Sequence, residues 1–465
     1  MATQNTLSSA PTTWLFSRRT DLIILAVLLS LGIMLRATGI FHAIGTHPDE
    51  RHIVQVTSSL ERNGMNPKSF AYGSFSFYAA WGFAKLVALC DFSVPRLTDS
   101  GKWIWLKASS YDGYFVTGRT FCLLMGSACI GLVYYLSLLL YRSSTAGLVA
   151  ALFMATNVFH LQLSRYFTSD VTLTTIALVS LIALVRAYQR GGLKDYLLFG
   201  FCVGLATATK ISSVFLFVPL GVVIGIAALK EWIPDNSWNR PLKSAGIILC
   251  GFLILVALQQ LTYWKGYPKV LNYRIAETAF LIPAAIPVLV IIAFTLRRLS
   301  RPLSFLFASL ALGTLVFVIA EPYAILDFKT FQRHTSEQTR MVQGHWRPPY
   351  TIQYEHTMPY AYHLKQMLFY TMGIPLFLTA MVGMLRAALT SCVEILDRTL
   401  KHQFLSKPLG SEIIPLIFVT VFFLATGYLQ VKFPRYLLPL YPLLFVFGAS
   451  LFRHLSFGRS RKNAF

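Results

Sequence analysis

The stretch IIPLIFVTVFFLATGYL, residues Ile413–Leu429, contains no charged side chain, and LIILAVLLSLGIML, residues Leu22–Leu35, has the same character. Further apolar blocks are Ser244–Leu261, Leu281–Leu296 and Leu303–Ala320. A helix needs about 20 apolar residues to cross the hydrocarbon core of a bilayer. Only 13% of the chain is charged, whereas soluble domains average about 25%. Open strands would leave backbone groups unpaired in lipid, so the sequence predicts a multi-pass helical membrane protein.

The predicted fold is an all-α membrane protein, one polytopic domain over residues 1–465, with about 12 transmembrane helices. The predicted spans lie near residues 21–39, 113–140, 145–163, 170–188, 193–209, 211–229, 244–263, 279–296, 303–320, 364–386, 411–430 and 435–453. The apolar stretch 72–90 contains Gly73, Gly82 and Lys85. We interpret it as a re-entrant or interface helix, with a thirteenth span as the alternative.

The basic residues predict the orientation of the spans. The net charge is +22, and the lysines and arginines stand mostly between apolar blocks, as membrane topology requires and nucleic-acid binding does not. Taking the N-terminus as cytoplasmic places Arg18-Arg19 and the basic tail on the same side. Two long loops, residues 41–112 and 321–363, then lie on the non-cytoplasmic side, where we expect short interface helices. Ordered loops of this length are usually functional.

An acidic pair opens the first outside loop, in His47-Pro48-Asp49-Glu50. A carboxylate at the membrane surface can deprotonate a hydroxyl or bind a cation. The same residues also suit the first turn of a helix, where Pro48 is favoured and negative charge complements the helix dipole. Both interpretations stand on residue type alone.

Several charged residues lie on the outside between closely spaced spans. Asp170 follows a tight hairpin, either as the N-cap of the next helix or as a second acidic site, because ionisable groups beside hydrocarbon are costly. Lys210, Arg165, Lys432 and Arg435 depart from the charge rule. Each alone fits snorkelling to lipid headgroups. Together they predict a cationic pocket for a membrane-embedded phosphate.

Aromatic and histidine side chains of the outside loops are candidate sugar or acceptor contacts. His345, Trp346 and Tyr350 stand in the second loop, and His47 and Tyr436 flank the first and last spans. Aromatic faces with polar neighbours suit sugar rings, although interface anchoring also explains aromatics here. The histidines lack the spacing of a zinc motif. The sequence assigns no metal ligands and leaves assistance by a divalent cation open.

Five segments together carry a family resemblance that spans most of the chain. The chain resembles the C-type glycosyltransferases, which depend on a lipid carrier, in the branch of the protein O-mannosyltransferases and the lipid A aminoarabinose transferases. The segments are His47–Glu50, Arg165–Leu173, Gly204–Lys210, Glu321–Asp327 and Lys432–Pro439. Their order and their places in the predicted topology are more specific than any single one.

The resemblance implies a monosaccharide donor linked through phosphate to a polyprenol, either dolichol or undecaprenol. It implies inverting transfer to an acceptor hydroxyl at the periplasmic face of a bacterial plasma membrane, or at the lumenal face of the endoplasmic reticulum as the alternative. By motif match, Asp49 is the base, Glu50 supports it or orients the acceptor, and Lys210 and Arg435 contact the carrier phosphate. Asp170 matches a second acidic position.

The acceptor is left open as a glycan, a lipid or a protein, because the large lumenal domains of the family have no counterpart here. Membrane lipids are further expected partners, and nucleic acid is not.

Two other functions fit parts of the pattern. A transporter or flippase of a lipid-linked saccharide would use the same cationic pocket, but it predicts ionisable residues deep within the spans. A non-catalytic subunit of an envelope complex would tolerate the loss of Asp49, Asp170 and Lys210 together. It gives no reason for charges gathered at one depth, so the glycosyltransferase is the leading prediction.

Overall fold

Helices account for most of the computed structural model, which describes residues 19–42, 44–232, 301–400 and 409–455. The α-helices are α1 Arg19–Ala37, α2 Pro48–Ser59, α3 Phe75–Leu89, α4 Tyr111–Tyr141, α5 Ser144–Thr156, α6 Val158–Leu163, α7 Ser169–Arg190, α8 Leu193–Thr207, α9 Phe217–Trp232, α10 Arg301–Ala320, α11 Tyr323–Leu326, α12 Phe328–Val342, α13 Ala361–Gln366, α14 Ile374–Leu400, α15 Ile413–Gly427 and α16 Tyr441–Ala449. Shorter turns are the 3₁₀ helices Ile211–Leu216, Pro349–Tyr354, Pro434–Leu440 and Ser450–Phe452 and the π-helix Met367–Thr371.

Five helices within the described residues are long and apolar enough to cross a membrane, judged by length and composition. They are Arg19–Ala37, Tyr111–Tyr141, Ser169–Arg190, Ile374–Leu400 and Pro434–Phe452. Shorter apolar helices are Phe75–Leu89, Ser144–Thr156, Ile211–Ala227, Ser304–Ala320 and Ile413–Gly427. The chain is thus a multi-pass helical membrane protein. The predicted spans 244–263 and 279–296 lie outside the described residues, so the number of twelve spans stays a prediction.

The predicted span 145–163 consists of two helices that meet at Asn157. The backbone of Asn157 is extended, and its side chain accepts a hydrogen bond from the His160 N–H at 2.9 Å. Its amide donates to the Thr371 carbonyl. Asparagine side chains compete in this way with the backbone of a helix. The predicted span 364–386 is likewise interrupted, and its long helix, α14, begins only at Ile374.

The first outside loop contains a β-hairpin, which the predicted all-α fold did not include. Strands β1, Ser93–Leu97, and β2, Trp103–Lys107, pair antiparallel with Ser93 opposite Lys107. Apolar and aromatic residues dominate these strands, as β-propensity favours. The rest of this loop forms α2 and α3, and α11 and α12 lie in the second loop. At 15 residues, α3 is shorter than the roughly 20 residues of an upright span.

Helices α8 and α10 approach each other backbone to backbone. A Cβ added at Gly200 would lie 2.2 Å from the Ser309 carbonyl oxygen, and one at Gly204 would lie 2.4 Å from that of Gly313. Small residues permit such close packing between membrane helices. The pairing matters for the site because α8 leads into the segment that carries Lys210, while α10 ends at Ala320, just before Glu321.

Candidate active site

Four charged side chains from distant parts of the sequence form a row of alternating sign, called here the charged quartet: Asp49, Arg435, Asp170 and Lys210. Arg435 Nη2 lies 2.9 Å from Asp49 Oδ2, and Arg435 Nε lies 3.7 Å from Asp170 Oδ2. Lys210 Nζ lies 2.6 Å from Asp170 Oδ1. Two carboxylates and two cations thus share one partly enclosed site.

The four side chains lie at the first turns of helices or in short turns between helices. Asp49 stands in the first turn of α2, next to Pro48, and Asp170 stands in the first turn of α7. Negative charge is favourable at both places because it complements the helix dipole. Thr168, and not Asp170, occupies the N-cap position of α7. The helix-start interpretation and the functional interpretation are therefore compatible, since both aspartates also face cations.

Aromatic rings enclose the cations of the quartet. Lys210 Nζ lies 4.6 Å from the centre of the Tyr436 ring, and the Arg435 guanidinium lies 4.4 Å from that of Phe433. The Tyr350 ring stacks on Phe433 with ring centres 6.4 Å apart. Cation–π contacts of this kind keep a charge attractive to anions while shielding one side of it from water. Tyr350 thereby connects the second outside loop to the site.

Tyr72 borders the other end of the quartet. Its hydroxyl lies within hydrogen-bonding reach of Asp49, and burial together with the charge of Asp49 raises the pKa of Tyr72. Burial raises the pKa of Tyr350, and the charge of the neighbouring Asp49 acts in the same direction. The sequence alone did not single out Tyr72, because one tyrosine in an apolar stretch carries no distinctive signal.

Glu50 points away from the quartet into the protein. Its carboxylate is fully buried and accepts two hydrogen bonds from Arg119, Nε to Oε1 at 2.6 Å and Nη2 to Oε2 at 2.7 Å. The Phe167 N–H donates to the same carboxylate at 3.0 Å. Arg119 also donates to the Ile40 carbonyl at 3.1 Å. This geometry fits a residue that ties α2 to α4 and to the start of α7, rather than one that touches an acceptor.

Arg119 was missed at the sequence level, although a signal was present. It is an arginine inside the apolar stretch 113–140, and a charge at such a place needs a buried partner. Glu50 is that partner.

Two of the predicted phosphate ligands make their contacts elsewhere. Arg165 donates to the Leu35 carbonyl at 2.7 Å, near the C-terminal end of α1. Lys432 is buried and donates to the Gln430 carbonyl at 3.1 Å. Burial and the nearby positive charge of Lys432 together lower the pKa of His363 to about 4. Both cations therefore fit structural roles in this conformation.

The predicted sugar contacts are distributed unevenly. The His47 ring packs on Tyr166 with centres 5.0 Å apart. Burial lowers the pKa of His47, and Asp49 opposes this shift. His345 and Trp346 follow α12, and their N–H groups both donate to the Arg340 carbonyl. Within the described residues, no contact joins His345 or Trp346 to the quartet.

No group of three or more histidine, cysteine, aspartate or glutamate side chains that could hold a metal ion is present in the described parts of the chain. Both quartet carboxylates have cationic partners.

The comparison with protein families agrees with the resemblance read from the motifs. Residues 112–264 match the family model described as dolichyl-phosphate-mannose-protein mannosyltransferase. The resemblance to this branch of enzymes is confirmed. The matched region contains Asp170 and Lys210 but neither Asp49 nor Arg435. Among curated protein sequences, none is significantly similar to this chain.

Solved structures of an archaeal oligosaccharyltransferase share the fold. The oligosaccharyltransferase of Archaeoglobus fulgidus, tethered to an acceptor peptide, is 14% identical over 93% of this chain and 49% of its own, with a TM-score of 0.51. The archaeal oligosaccharyltransferase AglB from the same organism, in complex with an inhibitory peptide and a dolichol-phosphate, is 15% identical over 94% and 50%, also with a TM-score of 0.51.

ArnT from Cupriavidus metallidurans, bound to undecaprenyl phosphate, is 13% identical over 94% of this chain and 60% of its own, with a TM-score of 0.48. This chain spans about half the length of the oligosaccharyltransferases. At this low sequence identity, the likeness to them shows the fold alone.

Proposed function

We propose that this protein is an integral-membrane glycosyltransferase that moves a monosaccharide from a polyprenyl-phosphate carrier to an acceptor hydroxyl, with inversion, on the non-cytoplasmic side. The charged quartet carries this proposal, because its two carboxylates and two cations lie within one site, as a base and phosphate ligands for this reaction would have to. The match of residues 112–264 to a mannosyltransferase family supports the reaction class.

The proposed base is Asp49. The acceptor oxygen attacks the anomeric carbon as its proton passes to the Asp49 carboxylate, which must lie within hydrogen-bonding reach of that proton. The bond between the anomeric carbon and the phosphate oxygen breaks on the opposite face, and its electron pair stays with the polyprenyl phosphate. A base and a leaving group on opposite faces of the sugar produce inversion.

Arg435 and Lys210 are proposed to neutralise the charge that grows on the leaving phosphate, which is the main electrostatic demand of this step. Arg435 already contacts Asp49. A bound phosphate offers Arg435 a second anionic partner, which frees the Asp49 carboxylate to accept the proton of the acceptor. Asp170 pairs with both cations and keeps them in the site between turnovers.

An apolar groove supplies a place for the isoprenoid chain. Its volume is about 720 Å³, and α3, α8 and α10 line it with residues that include Phe75, Ala79, Leu205 and Ile319. Phe75 connects the groove to the Lys210 segment, since its N–H donates to the Ala208 carbonyl at 3.0 Å. A carrier with its chain in the groove reaches the quartet with its phosphate. AglB, which shares the fold, binds a dolichol-phosphate.

The acceptor side of the site is proposed to lie beneath the second outside loop. Tyr350 and Tyr436 line the quartet, and His47 stands two residues before Asp49. His345 and Trp346 belong to this surface only if the loop moves towards the site on binding. We assign the site to the periplasmic face of a bacterial plasma membrane, with the lumenal face of the endoplasmic reticulum as the alternative.

The replacement Asp49→Asn tests the assigned base. The purified variant should bind polyprenyl-phosphate sugars as the wild type does and transfer sugar at least about a hundredfold more slowly, because general bases contribute about 10²–10⁴-fold. Asp99→Asn is the matched control, since Asp99 is an exposed aspartate of the same loop. Turnover near that of the wild type in Asp49→Asn would refute the assignment. Donor movement across sealed vesicles without covalent transfer would establish the transporter instead.

A further inference from the structure

A short segment of the first outside loop joins the two halves of the charged site. This segment, Tyr72-Gly73-Ser74-Phe75, is called here the strap. The Gly73 N–H donates to the Thr209 carbonyl at 3.1 Å, next to Lys210 in the chain. At its other end, the Tyr72 hydroxyl lies within hydrogen-bonding reach of Asp49. The strap therefore contacts the proposed base and the segment that carries a proposed phosphate ligand.

The contact at Gly73 leaves no room for a side chain. A Cβ added there would lie 2.0 Å from the Ala208 carbonyl oxygen, far inside van der Waals contact. Glycine is the residue that permits such close backbone approach. The strap is thus seated closely on the end of α8.

Glu321 holds the middle of the strap from the opposite side. Its Oε2 accepts the Ser74 N–H and its Oε1 accepts the Ser74 hydroxyl, each at 2.5 Å. Only 1% of Glu321 is exposed. Its two hydrogen-bond donors come from one residue, Ser74, and Tyr78 of α3 is a titratable group that faces it. Burying a carboxylate without a cation is costly, and ionisable groups kept at such places commonly serve function.

The packing of α10 on α8 makes Glu321 a fixed point. Glu321 follows α10 directly, and α10 touches α8 backbone to backbone at Gly200 and Gly204. The end of α8 in turn carries Thr209 and Lys210. The same pair of packed helices, α8 and α10, therefore fixes the positions of both Ser74 and Lys210.

We propose that Glu321 is a positioning residue that, through Ser74 and the strap, sets the Tyr72 hydroxyl against Asp49 and holds the base at a constant distance from Lys210. The role rests on the proposed function. In this proposal Tyr72 donates to Asp49 and orients the carboxylate, and the oxygen that Arg435 releases when phosphate binds takes the acceptor proton. Without the two acceptor oxygens of Glu321, Ser74 loses its anchor and Tyr72 loses its fixed place.

The first test compares Glu321→Gln, Ser74→Ala and the control Glu337→Gln in the full-length protein. Glu337 is an exposed glutamate of the same outside loop. We expect kcat to fall roughly tenfold or more in Glu321→Gln, because a displacement of about 1 Å can cost up to about a hundredfold in rate. Ser74→Ala, which removes one of the two donors, should show a smaller loss. Glu337→Gln should match the wild type.

A double-mutant cycle with Tyr72→Phe separates positioning from general destabilisation. If Glu321 acts through the strap, adding Glu321→Gln to Tyr72→Phe costs much less in kcat than adding it to the wild type. Losses that add fully in activation free energy would overturn the proposal, because they would show that Glu321 and Tyr72 act independently.

A structural readout keeps this proposal separate from the proposed reaction. A 3-fluorotyrosine at position 72 reports its surroundings by ¹⁹F NMR without any turnover. We expect Glu321→Gln and Ser74→Ala to shift or broaden this resonance and Glu337→Gln to leave it unchanged. An unchanged resonance in a folded Glu321→Gln protein would overturn the proposal that Glu321 positions Tyr72. If Glu321→Gln does not fold, the resonance of Ser74→Ala provides the same test. Absence of sugar transfer by the wild type from dolichyl and undecaprenyl donors would instead overturn the proposed function.

Discussion

Replacing Glu50 by alanine should strongly destabilise the protein. The Glu50 carboxylate is fully buried and receives two hydrogen bonds from Arg119 and one from the Phe167 N–H. In Glu50→Ala the Arg119 guanidinium stays buried with backbone carbonyls as its acceptors, those of Ile40 and His42 among them. Removing one partner of a buried ion pair costs about 3–5 kcal/mol in unfolding free energy. We expect a loss of this size, since the pair is bidentate and excludes water.

The assay measures unfolding of the purified protein in detergent, induced in separate experiments by heat and by a denaturing surfactant. Glu61→Ala is the matched control, because Glu61 lies on the same outside loop and pairs with Lys85 at 2.5 Å while half of its side chain is exposed. Surface pairs of this kind contribute little, so the control should unfold as the wild type does. The double replacement Glu50→Met with Arg119→Met should recover part of the loss, since no unpaired charge is left buried.

Equal stability of Glu50→Ala and the control would refute this account of Glu50. The same result would reopen the earlier prediction that Glu50 orients the acceptor. A stable Glu50→Ala protein with lost transfer activity would favour that prediction directly, because the defect would then lie in the reaction and not in the fold.

Further predictions concern the phosphate ligands, the buried glutamate and the groove. Lys210→Met should raise the KM for the polyprenyl donor about tenfold or more, because charged hydrogen bonds are worth about 1.5–3 kcal/mol; an unchanged KM would contradict its role. Burial raises the pKa of Glu321 to about 7, so it opposes ionisation in the folded state. The wild type should therefore lose stability as pH rises from about 4.5 to 7, by about 3 kcal/mol at most. Glu321→Gln should not show this loss, and parallel pH profiles of unfolding for the two proteins would exclude this contribution of Glu321. Ala79→Trp should fill the groove and weaken binding of a long-chain carrier more than of a ten-carbon analogue; equal effects on the two would place the isoprenoid chain elsewhere.

Hydropathy settled the membrane character of the chain before any tertiary contact was known. Crossing a bilayer requires each span to be apolar along its own length, and this requirement can be read from local sequence. The stretches around Leu22–Leu35 and Ile413–Leu429 show it directly. The break at Asn157 could not be read in this way, because it depends on a hydrogen bond to Thr371, which is far along the chain.

The charge pattern indicated one face for the candidate site but did not assign the partners. Lys210 and Arg435 meet the aspartates, whereas Arg165 binds the end of α1 and Lys432 binds Gln430. All four had the same signal, a cation at the edge of an apolar block. Which acceptor a long, flexible cation finds depends on the atoms that other helices bring within reach.

Asp49 and Glu50 show most clearly what each level of structure decided. The sequence by itself predicted that a pair of carboxylates begins a helix, because Pro48 and the helix dipole favour it there, and it left a functional role for the pair open. Consecutive residues of a helix point about 100° apart, so only one of the two could face the site. Tertiary structure made the choice, since Arg119 is buried on the Glu50 side and Arg435 stands on the Asp49 side. A buried guanidinium must have its counter-charge inside the protein, and this physical need left Asp49 as the carboxylate that faces the site.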